Sequence, residues 1–421
     1  MKKWIAFVSM LLALVTILAG CSAPQTPVVE SGTANGNTTE TVTDAPAPPA
    51  EPRTLSINGV DISQYKIIYA LNADKQAMLA ADRASLKTYW NDAYDGELQT
   101  AKRLAQLLKS YFGVELEIGV DTVTEESEYE ILIGETNRAE TQTAASTKTL
   151  AIDDYEIKPI EKKLVIRGGK NGSMYHGLDA LEEMFQNEAN GRAYTLIESA
   201  PITGSYHLQR IAVIGDSITE GYSASNRQIF SYVPTMARMY WQESVVYNYG
   251  KGSMTMRSDH EHSYQACDKW TACLANTEQY DVVLIMLGTN DSNRVWKMNR
   301  AWNEQDDAIY KSSARAIIDR VKQHSPNTEF VLMNCPAYYG TKEFGSARVR
   351  SLQKEIADTL KAEGYQMHLY DMYTYTTQNL GSSMFPDQLH PNDEGHFNMA
   401  KGVASMLRTL AAGKTSQYLL Y

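Results

Sequence analysis

The sequence predicts an α/β protein in which a five-stranded parallel sheet with helices on both faces follows a smaller α+β domain. Three observations carry this prediction. From about Ser205 onward, short apolar runs alternate with amphipathic helical segments, the pattern of a parallel sheet with right-handed crossovers. One of these runs, residues 282–287, is apolar throughout, as in a strand covered on both faces. Before Ala200 the order is strand, helix, several strands, helix, which suits a small sheet with helices on one face. The length of 421 residues allows about two or three domains, and a hydrophobic content of 43% is ordinary for a globular protein. The formal net charge of −11 argues against a nucleic-acid partner, which would favour a basic face.

Residues 1–21 stand outside the fold. Lys2 and Lys3 precede an apolar stretch over 4–18, too short and wrongly flanked for a spanning helix, which reads as an export signal. It ends Leu18-Ala19-Gly20-Cys21, which resembles the bacterial lipoprotein box. That resemblance implies lipidation of Cys21 and a protein held by a membrane outside the cytoplasm. Residues 22–53 are rich in Pro, Thr, Ala, Gly and Glu and lack apolar periodicity, so they read as a disordered linker. As a flexible coil such a linker spans about 30 Å. Cys267, Cys273 and Cys335 remain, too few for a disulfide framework. The spacing of Cys267 and Cys273 in a predicted helix sets them on different faces, and Cys335 reads as a buried small hydrophobe.

Residues 54–204 form the predicted α+β domain. Residues 66–71 read as a strand. Leu98, Ala101, Leu104, Ala105, Leu108 and Phe112 then mark one face of a helix that Gly113 ends. Strands are expected over 114–118, 129–133 and 164–166, with a weaker one over 155–157. A helix over 174–185 carries Tyr175, Leu178, Leu181, Met184 and Phe185. Three motifs stand out: Glu130-Ile-Leu-Ile-Gly-Glu-Thr-Asn-Arg138, Asp154-Tyr-Glu-Ile157, and Leu164-Val-Ile-Arg-Gly-Gly169 followed by Tyr175-His-Gly-Leu178. On these the region resembles the non-catalytic α+β domain that precedes the barrel in hexosaminidases and α-glucuronidases. The resemblance implies a carbohydrate context and no chemistry of its own; a purely structural domain is the simpler expectation.

In residues 205–421, strands are expected over 210–214, 245–247, 282–287, 330–333 and 368–370. Helices are expected over 229–242, 264–274, 309–321, 349–362 and 392–410, the last capped by Asn392 or Asp393. Polar blocks follow the strands: Gly215-Asp216-Ser217, Asn248-Tyr-Gly-Lys-Gly252 and Gly288-Thr-Asn290-Asp291. A fourth, Asp387-Gln-Leu-His390-Pro391, precedes the last helix. Open parallel sheets gather their ligands at this carboxyl edge. A serine hydroxyl becomes a good nucleophile when a base takes its proton, and His390 suits that base. Asp387, three residues earlier, accepts the other ring N–H, fixes the tautomer and stabilises the imidazolium. The motif is not the Gly-x-Ser-x-Gly elbow, because Thr219 stands where the second glycine would be.

The four blocks in this order resemble the SGNH, or GDSL-type, hydrolases over residues 209–411, which implies a flavodoxin-like three-layer fold for this half. The resemblance implies an oxyanion hole made by the backbone N–H of Ser217, a glycine N–H of the second block and the side-chain amide of Asn290. Asn248 is followed by both Gly250 and Gly252; Gly252 is the preferred donor and Gly250 the alternative. Other features read more plainly. His260-Glu-His262 is a solvated loop before it is a metal site, and His396 is a residue of the last helix. Asp216 and Asp291 brace their loops. Trp296 and Trp302 read as packing, with stacking on a sugar as the alternative. The expected protein is an exported, lipid-anchored serine esterase that removes acetyl groups from a carbohydrate, with no metal or organic cofactor. Two alternatives stand beside it: a lipase, thioesterase or acyltransferase for longer acyl chains, and a non-catalytic carbohydrate-binding surface lipoprotein.

Overall fold

In the computed structural model, residues 53–80, 91–187, 191–297, 300–339 and 346–420 are described. The signal segment, Cys21 and nearly all of the linker lie outside these residues. The amino-terminal half begins with β1 (Thr54–Ile57), β2 (Val60–Asp61), β3 (Lys66–Tyr69) and α1 (Ala73–Ala80). There follow α2 (Gly96–Phe112), β4 (Ile118–Val120), β5 (Glu130–Ile133), α3 (Ala139–Thr147), β6 (Asp154–Ile160), β7 (Lys163–Gly168) and α4 (Asn171–Gln186). It closes with β8 (Ala193–Leu196) and β9 (Ile202–Ser205). The main sheet has the order β4-β3-β5-β7-β6-β9, parallel from β4 to β7 and antiparallel at β6 and β9. β1 pairs with β2 and β8 in a small separate sheet.

Helix α2 forms where the periodicity requires. Asp95 caps its start through the N–H of Leu98, and Gly113, at φ 70°, turns the chain out at its end. Its buried residues Ala101, Leu104, Leu107 and Leu108 pack with Leu178, Leu181 and Phe185 of α4 against Ile67, Ile131 and Ile166 of the sheet. The opposite face is covered as well: Ile68, Leu132 and Val165 pack with Ala144 of α3. This corrects the expectation of helices on one face only. Helix α3 reads poorly because Thr141 and Ala144 are its only fully buried residues. The strand expected over 114–118 is displaced to β4; Val114 and Leu116 pack on the core without joining the ladder.

The carboxyl-terminal half comprises β10 (Gln209–Gly215), α5 (Ser217–Glu220), α6 (Arg227–Phe230), α7 (Tyr232–Met239), β11 (Ser244–Gly250) and α8 (Asp268–Ala275). Next come β12 (Val282–Met286), α9 (Thr289–Lys297), α10 (Glu304–His324), β13 (Glu329–Met333) and α11 (Ser346–Ala362). The last elements are β14 (Met367–Tyr370), α12 (Met372–Asn379), α13 (Asp393–Ala411) and β15 (Leu419–Leu420). The order is β11-β10-β12-β13-β14-β15, and the first five strands run parallel. β15 adds a sixth, antiparallel edge strand, so the five-stranded expectation was one short. Its two residues are too few for a periodic signal. The helix expected over 229–242 is split at Ser231 into α6 and α7. Pro234 lacks the N–H that a continuous helix would need, yet suits the first turn of α7.

Successive residues of a strand point to opposite faces. Ala212, Ile214, Val283 and Ile285 therefore enter one core with Ile317 of α10 and Leu352 of α11. Ile211, Val213, Val282 and Leu284 enter another with Met236 of α7 and Met399 and Val403 of α13. The sheet thus lies between two helical layers. Residues Glu51–Tyr421 make one compact unit. Arg210 on β10 is nearly buried and reaches Asp153 at 2.5 Å and Glu278 at 3.1 Å. Arg238 on α7 meets Asp74 at 2.9 Å, and the Trp241 indole N–H donates to the Ala93 carbonyl at 3.0 Å. Gly172 in α4 lies against Leu208 and the carbonyls of Trp241 and Gln242, where a Cβ would stand within 2.8 Å of each. Gly172→Ala should therefore overpack this seam and cost about 1–3 kcal/mol. Denaturant unfolding measures it; an unchanged midpoint would contradict the close packing.

Candidate active site

At the carboxyl edge of the sheet, Gly215 of β10 pairs in register with Gly250 of β11 and Met286 of β12. A Cβ on Gly215 would lie 2.0 Å from the Thr219 hydroxyl, and one on Gly250 would lie 2.3 Å from the Glu220 nitrogen. Only glycine lets α5 fold back so tightly over the strand ends. Asp216 caps α5, its carboxylate accepting the Ile218 N–H at 3.0 Å. Ser217 is therefore the first residue of the helix, where backbone N–H groups have no partner within the helix.

Asp387 and His390 approach from the loop before α13. The Ser217 Oγ is 2.8 Å from His390 Nε2, and His390 Nδ1 is 2.6 Å from Asp387 Oδ2. A carboxylate can only accept, so Nδ1 carries the hydrogen and Nε2 is left to accept from the serine. The other carboxylate oxygen takes the N–H groups of Leu389 at 3.0 Å and His390 at 2.6 Å. This clamp holds Gln388 in the left-handed region at φ 70°. Burial pushes the Asp387 carboxyl upward, but the three hydrogen bonds from His390 and Leu389 outweigh it and hold it below its ordinary range. The acid stays ionised beside its histidine.

Gly252 and Gly250 part company here. A Cβ on Gly252 would stand 3.9 Å from the Ser217 Cβ, so this glycine borders the serine. The Gly250 N–H donates to the Asn248 side chain at 2.9 Å, and this glycine packs behind α5. The Gly252 N–H, however, donates at 2.8 Å to Glu220, whose other oxygen holds Arg227 at 3.1 Å. The expected oxyanion donor is thus occupied by a carboxylate in this structure. Asn290, in the first turn of α9, donates to the Met254 carbonyl at 3.0 Å and ties itself to the Gly252 loop. Asp291 fastens the same loop through the N–H groups of Met256 and Arg257, at 2.9 and 3.0 Å. Burial pushes Asp216 up to about 7 and Asp291 up to about 6.

Two residues of the site did not emerge from the sequence. Glu220 reads as an ordinary helical acid, and its contact to Gly252 closes a gap between loops. His396 is fully buried; its Nδ1 accepts the Tyr232 N–H at 3.3 Å and its Nε2 donates to the Tyr222 carbonyl at 3.1 Å. It thereby braces the turn whose Tyr222 ring sits 4.5 Å from the His390 ring. Trp302 packs on Tyr310 and donates to Asp307, whereas the Trp296 side chain lies outside the described residues. Cys273 and Cys335 are buried free thiols, pushed by burial up to about 12. Among the described residues no three side chains cluster as metal ligands, His260 and His262 included.

Burial drives the His396 imidazole down to about 4. The unfolded chain, with an ordinary histidine near 6.5, takes up the proton first. The neutral histidine's contribution is therefore complete above about pH 6.5 and is lost as pH falls to about 4. It amounts to about 3 kcal/mol. Subtracting the stability of His396→Asn from that of the wild type across this range should reveal the decline. A flat difference would contradict it.

Residues 213–396 match the family model of the GDSL-like lipase/acylhydrolase family. An acetylxylan esterase from Xylanibacter ruminicola is 23% identical over 209 residues, which are 47% of this chain and 43% of that protein. The match thus spans less than half the length of that relative. Among solved structures, a carbohydrate esterase family 2 enzyme with a carbohydrate binding domain from Corynascus thermopiles (Myceliophthora fergusii) is 20% identical. It covers 51% of this chain and 71% of its own, with a TM-score of 0.37. An acetylxylan esterase from Geobacillus stearothermophilus is 19% identical over 47% of this chain and 93% of its own, with a TM-score of 0.36. The carboxyl-terminal half of this mixed α/β chain carries a GDSL-like lipase/acylhydrolase (SGNH) domain.

Proposed function

We propose that the protein is a serine esterase that removes acetyl groups from a carbohydrate through an acyl-enzyme. The observation that carries this is the continuous hydrogen-bonded line from Ser217 Oγ through His390 to Asp387. His390 Nε2 takes the serine proton as Oγ attacks the ester carbon, and Asp387 stabilises the imidazolium that forms. The same proton passes to the sugar oxygen as its bond to the acyl carbon breaks, and the sugar leaves as a free hydroxyl. Water then repeats the sequence on the acetyl-serine, releasing acetate. The acetylxylan esterase relative supports a small acyl group, and a cavity of about 180 Å³ lies beside Asp387, bordered by Ser292, Pro336, Tyr338 and Leu389. That is below the range of drug-sized ligand sites. Support for a carbohydrate comes from the acetylxylan esterase relative. The lipoprotein-type Cys21 adds the proposal that the enzyme works from a membrane anchor outside the cytoplasm.

Ser217→Ala should lower kcat on an aryl acetate by about 10⁶ and Asp387→Asn by about 10⁴. Acetate release from acetylated polysaccharide should stop in Ser217→Ala; undiminished turnover in that variant would sink the reading. One oxyanion donor is worth about 3–4 kcal/mol in the transition state. In this reading Glu220 withholds such a donor until it lets go of Gly252. Glu220→Ala should therefore raise kcat/KM on an aryl acetate about threefold or more. A fall would mean that Glu220 holds the Gly252 loop in its working position.

A further inference from the structure

We propose that the cleft between the two halves of the molecule binds the carbohydrate chain that carries the ester, so that the amino-terminal half takes part in substrate binding. This rests on the esterase reading above and extends it to the polymer. The cleft is a cavity of about 860 Å³, within the range of built ligand sites. Glu135, Lys170 and Asn171 border it from the amino-terminal half; Arg227, Gln228 and Trp241 border it from the carboxyl-terminal half. Its floor includes Gly250 and Glu220. Glu220, which borders the cleft, also holds the N–H of Gly252, and Gly252 borders Ser217, so one side chain links the cleft to the serine's loop.

The chemistry of the walls suits a polyol. Sugar hydroxyls both donate and accept, and the walls offer amides, carboxylates, an ammonium and a guanidinium beside the indole of Trp241. Within the cleft Arg238 is paired with Asp74 and Arg227 with Glu220. Their charges cancel, leaving Glu135 set against Lys170 and Lys269, a near balance that does not select a strongly charged polymer. The contacts of Arg210, Arg238 and Trp241 across the seam hold the two walls in place before any ligand arrives, which lowers the entropic cost of binding. A sugar hydroxyl on the floor would also offer Glu220 a donor in place of Gly252, freeing that N–H for the oxyanion.

The test compares the wild type with Glu135→Ala/Lys170→Ala, which removes two exposed side chains from one wall, and with Gln228→Trp, which fills the cleft from the other. Retardation of the full chain in gels containing acetylated xylan, acetylated glucomannan or acetylated pectin measures binding. The kcat/KM for each polymer divided by that for an aryl acetate measures its use. The proposal expects both variants to lose about tenfold or more in affinity for at least one polymer and in the corresponding ratio. Equal retardation and an equal ratio on all three polymers would overturn it, as would the absence of retardation by any of them. The esterase reading fails separately, when the wild type and Ser217→Ala hydrolyse the aryl acetate alike; the binding measurement still decides the cleft.

Discussion

The close approach of α5 to the ends of β10 and β11 is the constraint on which the site depends. Gly215 and Gly250 are paired across two parallel strands, and neither has room for a side chain. Because they are bare, the chain reverses within two residues of the strand and Ser217 stands at the head of a helix. The same reversal lays Glu220 against the loop of the second strand. Every other group comes to this point: Asn290 and Asp291 by tying that loop to α9, and His390 and Asp387 from the opposite side. A side chain at either glycine would lift the serine away from all of them.

Environment divides the acids around the serine into two kinds. Asp216 and Asp291 are fully buried, and burial raises them to about 7 and 6. They brace loops, accepting the backbone N–H groups of Ile218, Met256 and Arg257. The Asp387 side chain is 45% exposed and bonded by three N–H groups, and it is held low. The anion therefore resides beside His390, where it would stabilise an imidazolium in the proposed reaction. His396 completes the pattern, since a buried neutral imidazole can donate to one carbonyl and accept from one amide without bringing a charge near His390.

Much of this was legible in the chain. Ser217, His390 and Asp387 announce themselves because each stands in a polar break at the end of a strand or the start of a helix, and because a serine needs a base and the base an orienting acid. The five parallel strands of the carboxyl-terminal half and β3, β5, β6 and β7 follow from their apolar runs, whereas the short strands β1, β2, β8 and β9 were not expected. What could not be read depends on contacts distant in sequence. Glu220 occupies an ordinary helical position, and its meeting with Gly252 comes from the folding-back of α5. Which of Gly252 and Gly250 borders the serine is a matter of loop path. β15 is two residues long, and α3 buries too few apolar groups to show a face. The cleft forms only when two separately patterned halves meet.

Labelling of the native protein by a fluorophosphonate, with the modified residue located by peptide mapping, tests the central claim most directly. The reagent needs a serine whose proton is already being withdrawn by a base. A single adduct on Ser217, lost in His390→Ala, with esterase activity falling in step with labelling, is the predicted result. Absence of an adduct on Ser217, or an adduct on another residue while esterase activity persists, would contradict the account.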